Sequence, residues 1–315
     1  MTPLEVTAID EGSGTASEFE RILAPVTLEE FFRDYWNRRP LHVSGSPDRF
    51  VDLLNRDALI ALLPHCGQLK AGYYDRKGWY CELPIAPDQV KRLWDAGMTI
   101  CAGVLPPDDR RSAVTESYRR CVAFAGEVYF NAYMSPDDHG FTLHVDDHPV
   151  FVLQLEGSKR WWVSPEIGVP DPVRGFSFPP DRDRMTVPWG NFERPDEAQF
   201  LQLTLEPGDT LYLPAGTWHK ARAIGSSLAL TMASSRLTPL SIAQMAIMEE
   251  LDRYPALRQP IWGANTRSLT TAGVPTDLQP WFEAAAASLR EWAGRIDAET
   301  LYRLWRQAIH GRDGK

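Results

Sequence analysis

The chain lacks the apolar run of about 18 residues that a membrane-spanning helix needs. Met1 leads into Thr-Pro-Leu-Glu rather than a basic and then apolar signal. Both absences point to a cytoplasmic protein that makes no use of a membrane. Cysteine is scarce: Cys66, Cys81, Cys101 and Cys121 are widely spaced and no Cys-x-x-Cys occurs. A zinc or disulfide framework is therefore disfavoured, and buried free thiols are expected. Positive charge is in the minority, 33 Lys and Arg against 42 Asp and Glu, for a net charge of −9. That balance argues against broad phosphate or nucleic-acid binding and permits a basic partner. There is no internal repeat.

The 315 residues suffice for one large domain or two modest ones, and the 11 tryptophans supply much packing surface. Residues 1–23 are polar and Gly/Ser-containing at their start, and are expected to form a flexible leader. Thr27 and Glu30 make a capping box for a helix whose apolar Leu28, Phe31, Phe32, Tyr35 and Trp36 recur at helical spacing, and Pro40 ends it. Further helices are expected over 47–63, 88–96 and 107–120. Asp57 interrupts the first of these and offers the N-cap of a separate short helix. Strands are expected at 41–43, 73–83 and 98–104.

From Val122 the pattern turns to dense β signal. Residues 127–133 and 150–155 alternate, Gly157-Ser158 reads as a hairpin turn, and 160–163 return. Four short strands are expected within 202–233, separated by turns at Pro207-Gly208-Asp209 and Pro214-Ala215-Gly216. Such spacing means an antiparallel sandwich or barrel. Residues 165–195, rich in Pro, Asp and Arg, read as one long irregular loop near a functional mouth. Beyond Pro239 the β signal stops, and helices are expected at 241–254, 276–296 and 298–310.

The chemistry-bearing stretch runs from Asn131 to Val163. His144-Val-Asp146 on a strand puts both side chains on one face, because the side-chain period is two. A histidine from a neighbouring strand then completes a two-histidine, one-carboxylate triad, whose open positions suit non-haem Fe(II). The pair alone proves little, since about half of one His-x-Asp arises by chance in a chain of this composition. Its setting carries more: a strong strand follows it, and His219 closes the double turn EPGDTLYLPAGTWH.

These two stretches, GFTLHVDDHPVFVLQLEGSKRWWV and LEPGDTLYLPAGTWHKA, resemble the Jumonji-C-type (cupin-like) 2-oxoglutarate oxygenases. FFRDYWNRRPLHV is similar to the start of the ribosomal-oxygenase branch, which hydroxylates ribosomal proteins. The resemblance covers about residues 24–235. It implies a mainly β fold, a double-stranded β-helix (jelly-roll or cupin) core with N-terminal helices and a C-terminal helical module over 236–315. It further implies His144, Asp146 and His219 as ligands of Fe(II), Lys159 as the partner of the distal carboxylate of 2-oxoglutarate, and Asn131 and Tyr133 lining the same pocket. A dicarboxylate whose far end lies in an apolar barrel requires such a fixed cation and polar donors.

Three readings follow. The first is a dioxygenase that uses O2 to hydroxylate a side chain of a protein or peptide, with a ribosomal protein as the implied partner. The second is a tailoring hydroxylase of a small peptide precursor or free amino acid. The third is a metal-free barrel acting as a binding scaffold. In each, the C-terminal helices either cap the barrel or pair two protomers as a homodimer.

Overall fold

A computed structural model describes residues 17–122, 126–234, 238–261 and 272–310. Two compact units divide the chain, residues 1–235 and 236–315. Two short helices open the first unit, α1 (Glu18–Leu23) and α2 (Leu28–Asp34). Each is started by a complete capping box, Ser17 with Glu20 and Thr27 with Glu30, which satisfies backbone N–H groups that the first turn leaves free. Most of the expected leader lies outside the described residues. Its end is not loose, because Phe19, Ile22 and Leu23 of α1 are completely buried. The helix expected over 47–63 shrinks to α3 (Arg56–Leu62), capped by Asn55 rather than Asp57.

Strands β1 (Leu41–Val43), β2 (Gln68–Tyr74), β3 (Tyr80–Pro84), β4 (Thr99–Gly103) and β5 (Val128–Ser135) follow, with α4 (Val90–Asp95) and α5 (Asp109–Cys121) between them. Then come β6 (His144–Val145), β7 (Val150–Ile167), β8 (Phe176–Ser177), β9 (Arg184–Val187), β10 (Gly190–Glu193), β11 (Leu201–Leu205), β12 (Thr210–Leu213) and β13 (Thr217–Ser234). All pairings are antiparallel, in the order β1-β12-β7-β13-β5-β4-β2-β3, with β11 beside β7, β6 beside β13 and β8 beside β6. This is the mainly β, helix-flanked architecture expected from the resemblance.

Two expectations are corrected here. Gly157-Ser158 is no hairpin turn: β7 passes straight through it, paired with β13 on both sides of a bulge at Ile224/Leu228. Gly157 has φ +61°, and a Cβ there would lie 2.0 Å from the Ser226 carbonyl oxygen, so only glycine allows the two bent strands to pass. The two strands expected at 218–223 and 227–233 are likewise one, β13. The 165–195 segment is also less irregular than its composition suggests. It holds β8 and the β9–β10 hairpin, anchored because Phe176, Phe178 and Phe192 pack with Trp162 and Trp218.

The main core lies between the sheet and the N-terminal helices. Phe31 meets Tyr212 edge-on at 4.9 Å, and Phe19 meets Phe151 at 5.4 Å and Tyr118 at 5.2 Å. Burying each such ring contributes about 2–3 kcal/mol, so α1 and α2 are integral to the barrel wall. The second unit contains α6 (Pro239–Leu251), α7 (Pro255–Arg258), α8 (Gln279–Ala293) and α9 (Ala298–His310), with Ile242 and Leu304 buried beside Trp305. No helix among the described residues is long and apolar enough to cross a membrane.

Candidate metal and cosubstrate site

His144 sits on β6, which is only two residues long and is held between β13 and β8 by the pairs His144↔His219 and His144↔Ser177. Asp146 follows at the end of this strand. Its carbonyl accepts a 2.8 Å hydrogen bond from Gly216 N, which ties the turn before β13 to the ligand segment. Gly216 has φ +78°, and a Cβ there would lie 1.8 Å from the Val169 carbonyl oxygen. The Pro-Ala-Gly turn thus needs its glycine so that His219 can reach Asp146.

The three side chains converge. One donor atom from each of His144, Asp146 and His219 falls within 4.8 Å of the others. The two imidazole centroids are 4.1 Å apart, and His219 Nε2 is 3.5 Å from Asp146 Oδ2. Each histidine uses Nδ1 on a backbone carbonyl two residues back: His144 on Thr142 O at 2.7 Å and His219 on Thr217 O at 2.9 Å. A carbonyl only accepts, so Nδ1 carries the hydrogen and Nε2 keeps its lone pair. Burial, followed by the neighbouring His144, pushes the His219 pKa down to about 4, against the pull of Asp146. The ring is therefore neutral at physiological pH, as a ligand must be. For Asp146 burial opposes ionisation, but His144, His219 and His148 together hold its carboxyl below the ordinary range.

The triad opens into a cavity of about 400 Å³ whose wall also includes Tyr80, Glu82, Tyr133, Lys159 and Trp161. Lys159 is on β7, opposite Ala223 of β13, and is 2% exposed. It is not a solvated turn lysine. Its Nζ donates to Ser135 Oγ at 3.2 Å, and it has no carboxylate partner among the described residues. Burial lowers its pKa to about 8, with Cys101 opposing. A buried ammonium held by a single hydroxyl is an incomplete site for an anion. Trp161, stacked on His219 at 5.9 Å, adds a buried indole N–H with no acceptor among the described residues.

Asn131 is placed elsewhere. Its Oδ1 accepts a 2.9 Å hydrogen bond from Val104 N, and the residue lines a neighbouring hollow of about 180 Å³ instead of the metal cavity. Tyr133, two residues on, lines both hollows and meets Phe141 edge-on at 5.3 Å. Tyr80, Glu82 and Ser135 were not singled out from sequence. The alternation of Tyr80-x-Glu82 puts them on one face, but nothing local says that β3, the edge strand beyond β2, reaches the metal cavity.

Known proteins resemble this chain in sequence and in fold. Residues 105–241 match the JmjC domain. YxbC of Bacillus subtilis is 23% identical over 307 residues, spanning 91% of both chains. Ribosomal oxygenase 2 of Rattus norvegicus is 29% identical over 240 residues, which are 70% of this chain and 47% of that protein. The chain thus spans about half the length of that relative. The crystal structure of Escherichia coli ribosomal oxygenase YcfD superposes with a TM-score of 0.56 at 15% identity, over 90% of this chain and 71% of that one. A second structure of YcfD, in complex with cobalt and 2-oxoglutarate, gives 0.55. The fold is shared.

Proposed function

We infer that this chain, which carries a JmjC domain over residues 105–241, is an Fe(II)- and 2-oxoglutarate-dependent dioxygenase that hydroxylates an amino-acid side chain of a protein. The carrying observation is a pairing across one cavity. Two imidazoles and a carboxylate stand at one point of its wall, and a buried ammonium with no carboxylate partner among the described residues stands at another.

The residues fit the groups. His144 and His219, with Nε2 free, and ionised Asp146 would hold Fe(II), a set that leaves positions open for other ligands. Lys159 and the Ser135 hydroxyl would hold the distal carboxylate of 2-oxoglutarate, and the idle Trp161 N–H is a further donor in the same wall. When bound, iron, 2-oxoglutarate and O2 together supply the oxidising power to place an oxygen atom on a C–H carbon. The protein's own part is positional. The carbonyls of Thr142 and Thr217 fix the imidazole tautomers, and buried Val150, Val152 and Trp161 give the cavity an apolar wall.

A ribosomal protein is the substrate suggested by the relatives' names. A cytoplasmic location is part of the same proposal, supported by four cysteines that are all free. So is a homodimer through the C-terminal helices, where Phe282 and Leu289 of α8 and Tyr302 of α9 remain exposed.

The experiment is anaerobic addition of Fe(II) and 2-oxoglutarate. A visible charge-transfer band is expected, and it should vanish in His144→Ala and in Asp146→Ala. A wild-type spectrum that does not change overturns the reading.

A further inference from the structure

One face of β2, β3, β4 and β5 sets a phenol against a thiol at the edge of the metal cavity. Cys101 of β4 stands opposite Lys70 of β2 on one side and Tyr133 of β5 on the other. Tyr80 and Glu82 of β3 stand opposite Tyr74 and Gly72 of β2. Strand alternation gives all of these the same face, with Gly72 between Lys70 and Tyr74. A Cβ at Gly72 would lie 1.8 Å from the Tyr80 hydroxyl and 2.6 Å from its Cε2. Glycine is required there because the phenol crosses over β2 at this point. The crossing brings Tyr80 to Cys101, with the hydroxyl and Sγ 3.5 Å apart. Tyr80 lines the metal cavity, Cys101 the 180 Å³ hollow beside it, and Glu82 both.

Hydrogen bonds join three of these groups in series. The thiol donates to Glu82 Oε1 at 3.8 Å, which leaves Sγ to accept from the Tyr80 hydroxyl. Lys70 holds the other oxygen of Glu82 at 3.0 Å. Cys101 is 5% exposed, and burial, followed by Glu82, pushes its thiol up to about 12. Burial, followed by Cys101, raises the Tyr80 phenol as well. Both groups are therefore protonated, so oxidation of either releases a proton, and the Glu82 carboxylate stands beside the sulfur to take it. The phenol is also joined to the triad through rings. Tyr80 meets Phe141 at 4.7 Å, and Phe141 meets His144 at 5.7 Å. A thiol shut away from solvent is out of reach of soluble thiols, so an oxidised phenol here has this sulfur as its neighbour.

We propose that Tyr80 and Cys101 are a modification site, a pair that couples oxidatively into a thioether between Sγ and the ring carbon beside the hydroxyl. For its oxidant the step rests on the oxygenase reading. The phenol loses one electron and its hydroxyl proton. Sulfur then bonds to the ring carbon as the thiol proton passes to Glu82, a second electron leaves, and the ring hydrogen moves to the phenol oxygen as a proton. One C–H and one S–H bond are exchanged for one C–S bond, and two electrons and two protons are released. In a turnover without substrate, O2 and 2-oxoglutarate take up both pairs and yield succinate, CO2 and water. The link ties the edge strand β3 across β2 to β4 and fixes this wall of the cavity.

The test counts thiols in the full chain, prepared without iron and without oxygen. Denatured and reduced, it should present four alkylatable thiols, Cys66, Cys81, Cys101 and Cys121. After incubation with Fe(II), 2-oxoglutarate and O2 but no substrate, the count should fall to three, with a loss of two mass units and a proteolytic fragment joining Tyr80 to Cys101. The loss should survive reductant, which restores a disulfide or a sulfenic acid. Two equivalents of hexachloroiridate(IV), a one-electron oxidant, should give the same joined fragment in the metal-free chain. Tyr80→Phe and Cys101→Ser should form no link by either route, and Cys81→Ser should still form it. The joined fragment is read in the wild type itself, so the proposal does not depend on how well a variant folds. It is overturned if succinate forms while all four thiols remain, or if Cys101 is lost only by gaining oxygen. A link that still forms in Tyr80→Phe overturns it equally. If no succinate forms in the wild type, the oxygenase reading fails, and the hexachloroiridate arm alone upholds or overturns the pair.

Discussion

Replacing Lys159 by Met tests the cosubstrate site without the ambiguity of a truncation. The side chains are similar in length, so little cavity is created. Without its ligand the protein holds this ammonium at 2% exposure against one hydroxyl 3.2 Å away. A pKa lowered by burial from the ordinary 10.5 to about 8 corresponds to about 3 kcal/mol of destabilisation in the charged form. The sign follows from proton counting. Between pH 8 and 10.5 the unfolded chain binds this proton more tightly than the folded one, so wild-type stability rises with pH across that window. Lys159→Met removes the charge, and the ligand-free variant should melt at or above the wild-type temperature at neutral pH, with the difference shrinking above pH 8.

Affinity should move the other way. Deleting one partner of a buried charge pair costs about 2–5 kcal/mol, so 2-oxoglutarate binding should weaken by about 100-fold while metal binding is unchanged. Wild-type 2-oxoglutarate affinity should also fall as pH rises past 8, because Lys159 must then take up a proton to bind the carboxylate. Calorimetric titration of 2-oxoglutarate into the Mn(II)-loaded protein, paired with thermal melts, measures both. A variant that binds 2-oxoglutarate within about fivefold of wild type, or melts several degrees lower, refutes the assignment of this lysine as an anion site waiting for its ligand.

Two smaller predictions concern the frame of the site. Gly216→Val should cost more than about 3 kcal/mol, because it combines φ +78° with a steric clash at the Val169 carbonyl, and should abolish metal binding together with the cooperative melt; retention of both would refute the role given to this turn. Thr27→Ala should cost about 1 kcal/mol in denaturant unfolding by opening the α2 capping box, with no change in the charge-transfer band, and a loss of the band would mean that α2 shapes the site more directly.

How much of this was legible beforehand depended on whether the signal was local. The capping box at Thr27 and Glu30 is complete within four residues and formed as expected. The shared face of His144 and Asp146 follows from the strand period alone, and the structure brings His219 to it. Asn131 shows the limit of that logic. It shares its strand face with Tyr133 and Ser135, yet its amide oxygen is taken by Val104 N and the residue falls in the next hollow. Alternation says which face a residue occupies but not how far along the face the cavity reaches. The irregular look of residues 165–195 misled for a related reason: Phe176, Phe178 and Phe192 become strand and core residues only when Trp162 and Trp218 are there to receive them.

By itself, then, the amino-acid order determined the start of α2, the common placement of His144 and Asp146, the β-rich centre and the helical end, because each depends on spacing within a few residues. Tertiary structure decided the rest. Gly157 faces a bulge and makes no turn because β13 continues past it and needs close approach at Ser226. Lys159 is a buried cation and not a surface one because β7 and β13 carry it into the barrel beside Ser135. Tyr80 and Glu82 line the cavity because β3, distant in sequence from the triad, forms the edge of the sheet beyond β2 and reaches the cavity wall. These outcomes depend on which strands become neighbours, and that choice is made by burying the whole sheet at once rather than by any one stretch of chain.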